Sequence, residues 1–151
     1  MNGKAKRNQN KMGEKKMGTE RQMTGMASEY YVLSLLNRVG AEAYLTLGNT
    51  KKSDILVKKG YEAITIDVKG CKSSSFPIGT EYESKKDKNH FYVFLYYKNF
   101  EDIHENPEIY IVPSLSMDFV RNYKGSSNVL LNDLKEKGYS DDFSIFAEKS
   151  E

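Results

Sequence analysis

A single cysteine, Cys71, leaves this chain no internal disulfide. Its fold must therefore rest on an apolar core, and a lone thiol suits a reducing compartment, so a cytoplasmic protein is expected. No apolar run approaches the length of a membrane span, and none follows the basic N-terminal stretch as a secretion signal would. No membrane partner is expected. Tryptophan is absent, although eleven tyrosines and seven phenylalanines supply aromatic bulk for a core. The two histidines, His90 and His104, are not spaced as metal ligands. Neither the phosphate-cradling P-loop nor the G-x-G-x-x-G dinucleotide fingerprint occurs, and no Ser-His-Asp grouping suggests itself. His90, beside a strand start, reads as a packing or hydrogen-bonding residue.

What is present is 151 residues, enough for one domain with a working core. The net charge of +2 hides an asymmetry. Residues 1–24 hold seven lysines and arginines against Glu14 and Glu20, whereas the remaining chain is acidic on balance. This first stretch lacks apolar periodicity, so it is expected to be a disordered basic arm, with one folded domain over 25–147. Such an arm attracts polyanions without sequence preference; a purely solubilising tail has equal standing.

The most informative stretch is Glu62-Ala63-Ile64-Thr65-Ile66-Asp67-Val68-Lys69-Gly70. Ile64, Ile66 and Val68 alternate with Thr65, Asp67 and Lys69, the period-2 signature of a strand. The apolar trio then faces one way, and Asp67 and Lys69 share the other face. Gly70 is expected to break the strand. Upstream, Asp54 stands at the mouth of a second short strand, Ile55-Leu56-Val57, and the intervening Lys58-Lys59-Gly60-Tyr61 reads as a hairpin turn. Antiparallel neighbours joined this tightly bring Asp54 and Asp67 to one end of the sheet. Taken alone, the Asp-x-Lys pattern reads equally well as an ordinary ion pair on a solvated strand face.

A helix is expected from about Gly25 to Val39, with Thr24 as its N-cap and Gly40 closing it. Met26, Tyr30, Val32, Leu33, Leu35, Leu36 and Val39 form its apolar face, and Glu29 falls near the middle of that face. A core-facing carboxylate is costly unless it is paired or binds a metal. If the helix packs beside the acidic end of the sheet, Glu29 becomes a third acid there. Ala41–Leu47 is expected as the first strand. Residues 70–89 form a long polar connection whose Lys72, Ser73, Lys85, Lys86 and Lys88, with Lys51 and Lys52 in an earlier turn, suit phosphate groups; a solvated loop is the alternative. His90–Tyr97 is apolar on both faces and therefore a central strand. Ile109–Val112 follows as a strand, Ser114–Val120 and Asn132–Lys137 as helices, and Phe143–Phe146 as an edge segment.

The order helix with Glu29, strand, Asp54, strand with Asp67-Val68-Lys69, then another strand resembles the PD-(D/E)XK nuclease superfamily, over roughly residues 24–113. It is similar to small members built like archaeal Holliday junction resolvases. The resemblance implies a restriction-endonuclease-like αβββαβ core, an α/β fold with a mixed central sheet flanked by helices. It also implies that Asp54 is the first acid, Asp67 the second, Lys69 the lysine and Glu29 the helix-borne acid. Ser53 stands where the motif has proline, and Asp67 where glutamate is commoner.

Phosphodiester hydrolysis needs an activated water, a Lewis acid on the phosphoryl oxygen and a proton for the leaving group. Mg²⁺, or Mn²⁺ in its place, binds through one or two carboxylates and keeps several waters, which suits Asp54 and Asp67 with the Val68 carbonyl and Glu29 as further ligands. Lys69 would orient the water or stabilise phosphate charge. The expectation is a Mg²⁺-dependent endonuclease acting on nucleic acid, DNA in preference to RNA. With little chain left for a sequence-reading domain, its cleavage would be directed by structure or by a partner, and a homodimer would span two strands. The alternatives are a nucleic-acid-binding module that keeps the fold without catalysis, and a structural protein in which the Asp67 and Lys69 pair is incidental. Two facing aspartates repel, so Asp67→Asn is expected to leave folding intact or improve it.

Overall fold

The computed structural model describes residues 2–48 and 52–148, with side chains described from residue 19 onward. The first helix, α1, runs over Asn2–Arg38. The helix start expected at Thr24 is not there, and the stretch read as a disordered arm continues α1 toward the N-terminus. No proline interrupts residues 2–38, which are rich in lysine, glutamate, glutamine, arginine and methionine, all good helix formers. Periodicity finds only helices that bury a face, so it was blind to this extension.

Eight strands follow: β1 (Glu42–Leu45), β2 (Ile55–Lys59), β3 (Glu62–Cys71), β4 (Ser75–Pro77), β5 (His90–Tyr96), β6 (Glu108–Pro113), β7 (Arg121–Tyr123) and β8 (Ser126–Leu130). Helix α2 spans Leu131–Lys137. Five strands make one mixed sheet in the order β1-β2-β3-β5-β6. Only β3 and β5 are parallel; the other pairs are antiparallel. A parallel pair needs a crossover, and residues 72–89 supply it. Its helical element is a single 3₁₀ turn over Thr80–Glu83, preceded by β4. β5 is interior, as its two-sided apolar pattern requires, with Val93 and Leu95 buried on one face and Tyr92 and Phe94 on the other.

One face of the sheet presents Ile55, Val57, Ile64, Ile66, Val68, Val93 and Leu95 to α1, and Val32 and Leu36 of the helix complete this core. Each such fully buried aliphatic side chain contributes about 2 kcal/mol through lost apolar surface. Phe143–Phe146, expected as an edge segment, is instead a 3₁₀ turn whose two phenylalanines close the same core. The other face carries Tyr92, Phe94 and Val112, covered by Phe76, Met117, Val129, Leu131 and Leu134. That cover includes a small second sheet, β4-β8-β7, whose β7–β8 hairpin the sequence pattern did not show. The segment expected as a helix over Ser114–Val120 is a kinked 3₁₀ stretch, Ser114–Phe119, with non-helical backbone at Met117.

The buried stripe of α1 is Thr24, Ser28, Val32 and Leu36, spaced four residues apart. Met26, Tyr30 and Val39, expected in the apolar face, are exposed. The cause lies on β3. A side chain at Gly70 would place its Cβ 1.9 Å from Ser28 Oγ, 2.8 Å from Ser28 Cβ and 3.3 Å from the Thr24 carbonyl oxygen. Small polar residues therefore turn toward the sheet, because they let helix and strand approach where glycine leaves room. Ser28 Oγ donates to the Thr24 carbonyl (2.6 Å) and meets the Tyr97 hydroxyl (3.0 Å), so its burial leaves no polar atom wanting. Gly70 does not end β3, which continues to Cys71 beside β5.

Candidate metal and phosphate site

Asp54 is held by its backbone before its side chain is considered. Thr46 N–H donates to the Asp54 carbonyl (2.9 Å), Asp54 N–H donates to the Ile66 carbonyl (3.0 Å), and Thr46 Oγ1 donates to the Ser53 carbonyl. Asp54 thus sits between the end of β1 and the middle of β3. The β2–β3 ladder ends where Ile55 pairs with Ile66, and Asp54 lies just beyond it, beside the Ile66–Val68 stretch of β3 that carries Asp67. Its Oδ2 accepts a hydrogen bond from Val68 N–H at 2.8 Å. The N–H and C=O of a strand residue point the same way, so the Val68 carbonyl is directed to this edge as well. The hairpin turn at Gly60, with φ of 61°, sets this register as the sequence anticipated.

Asp67 and Lys69 share a face, but the solvated-face reading does not hold for the aspartate, which is only 4 % exposed. Lys85 donates to Asp67 Oδ2 at 3.0 Å, and His90 Nε2 approaches the same oxygen at 3.4 Å. Thr65 Oγ1 holds the other ring nitrogen of His90 at 2.7 Å. Tyr92 lies beside Asp67 in the β3–β5 register. His90 Nε2 and the Tyr92 hydroxyl are buried polar atoms without an aligned hydrogen-bond partner. Burial pushes the Asp67 carboxyl up, but His90 and Lys85 more than offset this and hold it below its ordinary value. Burial first, and then the Asp67 charge, push the Tyr92 phenol up.

These partners change one expectation. Asp67 is balanced by Lys85, so Asp67→Asn leaves Lys85 without its carboxylate and is expected to cost about 1–2 kcal/mol at neutral pH. A carboxylate with a lowered native pKa stabilises the fold above its unfolded pKa, and this contribution is lost as pH falls through the native value. The stability gap between the native protein and Asp67→Asn, measured by urea unfolding, should be flat at neutral pH and close below the ordinary value of 3.8. A gap that persists unchanged in acid would show that the carboxylate charge is not what stabilises.

Glu29 is half-buried and follows Ser28, on the helix layer that covers the opposite face of β3 from Asp67. Among the described residues, no group of three or more His, Cys, Asp or Glu side chains is close enough to hold a metal ion. The expected three-acid cluster of Glu29, Asp54 and Asp67 is therefore not found among them; Asp54, the neighbouring Val68 carbonyl and Asp67 are the oxygen donors this part of β3 offers. That donor set suits an ion that keeps several waters, as Mg²⁺ does. Lys69 lies on the Asp67 face, half-buried, across from Phe94.

The lysines expected to hold phosphates are scattered. Lys51 lies outside the described residues. Lys52 joins Ser53, Thr65, Lys85 and His90 around a cleft of about 610 Å³ on the Asp67 face. Lys72 and Ser73 border a second cleft of about 510 Å³ with Arg21, at the far end of β3. Lys72 also stacks over Phe100, 5.1 Å from the ring centre. Lys86 pairs with Asp118 (3.0 Å) and Glu83 (3.3 Å), and Lys88 is exposed. Sequence reasoning gave Thr65 and Tyr92 no part, read His90 as a packing or hydrogen-bonding residue, and assigned Lys85 to phosphate alone. The signal for Thr65, His90 and Tyr92 is the parallel β3–β5 register and that for Lys85 the path of the crossover, neither of which spacing along the chain encodes.

The fold matches a solved structure. A Holliday junction resolvase, Hjc of Archaeoglobus fulgidus, superimposes with a TM-score of 0.57 at 12 % identity, over 84 % of this chain and 98 % of that one. The chain has the resolvase-type nuclease fold. Its mixed five-stranded sheet with α1 on one face is the restriction-endonuclease-like arrangement that the motif order implied. A bacterial homing endonuclease is also similar, with a TM-score of 0.47 at 14 % identity over 72 % of this chain and 74 % of that one. No family model and no curated protein matches the sequence. Among the described residues of this nuclease-fold chain, no helix is long and apolar enough to cross a membrane.

Proposed function

We propose that this protein is a Mg²⁺-dependent endonuclease that cleaves DNA, directed by structure or by a partner rather than by base sequence. The observation that carries this reading is the resolvase-type fold with the Asp54 carboxylate bonded to Val68 N–H, the residue next to Asp67 on β3. Asp54, Asp67 and the Val68 carbonyl would hold the ion, and Mn²⁺ would substitute. When bound, the ion supplies Lewis-acid polarisation of the phosphate and acidifies a water. Lys69, two residues along the same face, orients the attacking water and stabilises charge on the phosphoryl oxygens. Glu29, on the helix layer over the opposite face of β3 from Asp67, is given no part at the ion.

The resolvase is named for a DNA junction, and this reading extends that substrate to the present chain. A homodimer would place two sites on two strands. The test incubates purified protein with branched and linear DNA in Mg²⁺, Mn²⁺ or EDTA. Cleavage only with a divalent ion, and preferentially of branched DNA, is expected. Equal cleavage in EDTA would remove the mechanism, and tight metal-independent binding without cleavage would favour a binding module that keeps the fold.

The basic N-terminal stretch supports the same reading. Removing residues 1–18 discards six lysines and arginines against Glu14. If they lie on phosphates, truncation should weaken DNA affinity and flatten its salt dependence by up to about 0.9 per lost contact. An unchanged slope in a fluorescence-anisotropy titration would return the stretch to a solubilising role.

A further inference from the structure

We infer that Lys85 is an internal cation occupying the metal's place at Asp67, and that a divalent ion binds by displacing it. This rests on the metal-site reading above. Asp67 is almost fully buried, and a buried carboxylate needs positive charge nearby. Here that charge comes from a side chain of the crossover, not of the strand pair that forms the site. Lys85 follows the Thr80–Glu83 turn and reaches Asp67 Oδ2 with a 3.0 Å contact. Its side chain remains 32 % exposed in the cleft, so it has somewhere to go.

The segment around it is anchored independently. Asp87 N–H donates to Ser114 Oγ (2.9 Å), Ser114 Oγ donates to the Asp87 carbonyl (2.7 Å), and Lys86 holds Asp118. Release of Lys85 therefore need not unfold the crossover. The second observation is the pair of buried polar atoms without aligned partners, His90 Nε2 and the Tyr92 hydroxyl, which border the same carboxylate. One lysine satisfies the charge of Asp67 but leaves these atoms unsatisfied. An ion that keeps its waters would supply polar partners there as well. Released, the Lys85 ammonium lies in the cleft with Lys52, where phosphate contact was expected of it.

The experiment measures Mn²⁺ binding by calorimetry, without DNA, for the native protein, Lys85→Met, Lys85→Arg, Lys86→Met and Asp67→Asn. Lys85→Met should bind about three- to tenfold more tightly, because no internal partner competes, and should gain more in Tm from the ion. Lys85→Arg and Lys86→Met should stay near the native affinity, and Asp67→Asn should lose the site. Equal or weaker binding by Lys85→Met, with Asp67 still required, would overturn the displacement while leaving the metal site standing. Binding that never depends on Asp67 would overturn both. Should Lys85→Met fail to fold, amine labelling of the native protein decides: saturating Mn²⁺ should raise the modification of Lys85 relative to Lys86, read by peptide mass mapping, and unchanged or slower labelling of Lys85 would overturn the displacement.

Discussion

Lys69→Ala should lower the rate of branched-DNA cleavage by about 10²–10³-fold, the usual cost of removing one preorganised charge from a reacting centre. Asp67→Asn should lose at least as much, since it removes a ligand and a charge while keeping the side-chain shape. The two variants part on metal. Lys69→Ala should keep Mn²⁺ affinity, because an ammonium is no ligand and Lys69 forms no ion pair with Asp67 in this structure, where Lys85 does. Asp67→Asn should lose it. Single-turnover cleavage beside a Mn²⁺ titration separates the roles. Residual cleavage within tenfold of native in Asp67→Asn would sink the assignment of both acids, because Asp54 alone cannot replace its partner.

Gly70→Ala should be strongly destabilising. The new Cβ would fall 1.9 Å from Ser28 Oγ and 2.8 Å from Ser28 Cβ, far inside van der Waals contact. Ser28 cannot swing aside cheaply, because its hydroxyl is buried and bonded to the Thr24 carbonyl and the Tyr97 hydroxyl. The helix must retreat from β3 or the strand must bend, at about 1–3 kcal/mol. Ser28→Gly in the same background removes both clashing atoms and should recover part of the loss, the Thr24 carbonyl at 3.3 Å being the remaining neighbour. Urea unfolding of the single and double variants measures this. A loss under 0.5 kcal/mol for Gly70→Ala would mean that the close approach of α1 does not position the helix.

Alternation alone placed Ile64, Ile66 and Val68 on one face of β3 and Asp67 and Lys69 on the other, because the side-chain period of a strand is two whatever surrounds it. The Gly60 turn likewise carried the β2–β3 hairpin, since a tight antiparallel pair has one register. The two-sided apolar run from His90 to Tyr96 declared an interior strand. These are local properties, and the chain states them locally. Tertiary structure decided the rest. Which residues of α1 turn inward followed from Gly70, forty-two positions beyond Ser28, and hydrophobicity pointed instead to Met26 and Tyr30. Whether Asp67 is solvated or buried depended on a crossover that brings Lys85 back over the strand, and on a parallel register that sets His90 across from Thr65. No spacing encodes those distances, because contacts between segments separated by a long connection are selected by packing of the whole sheet.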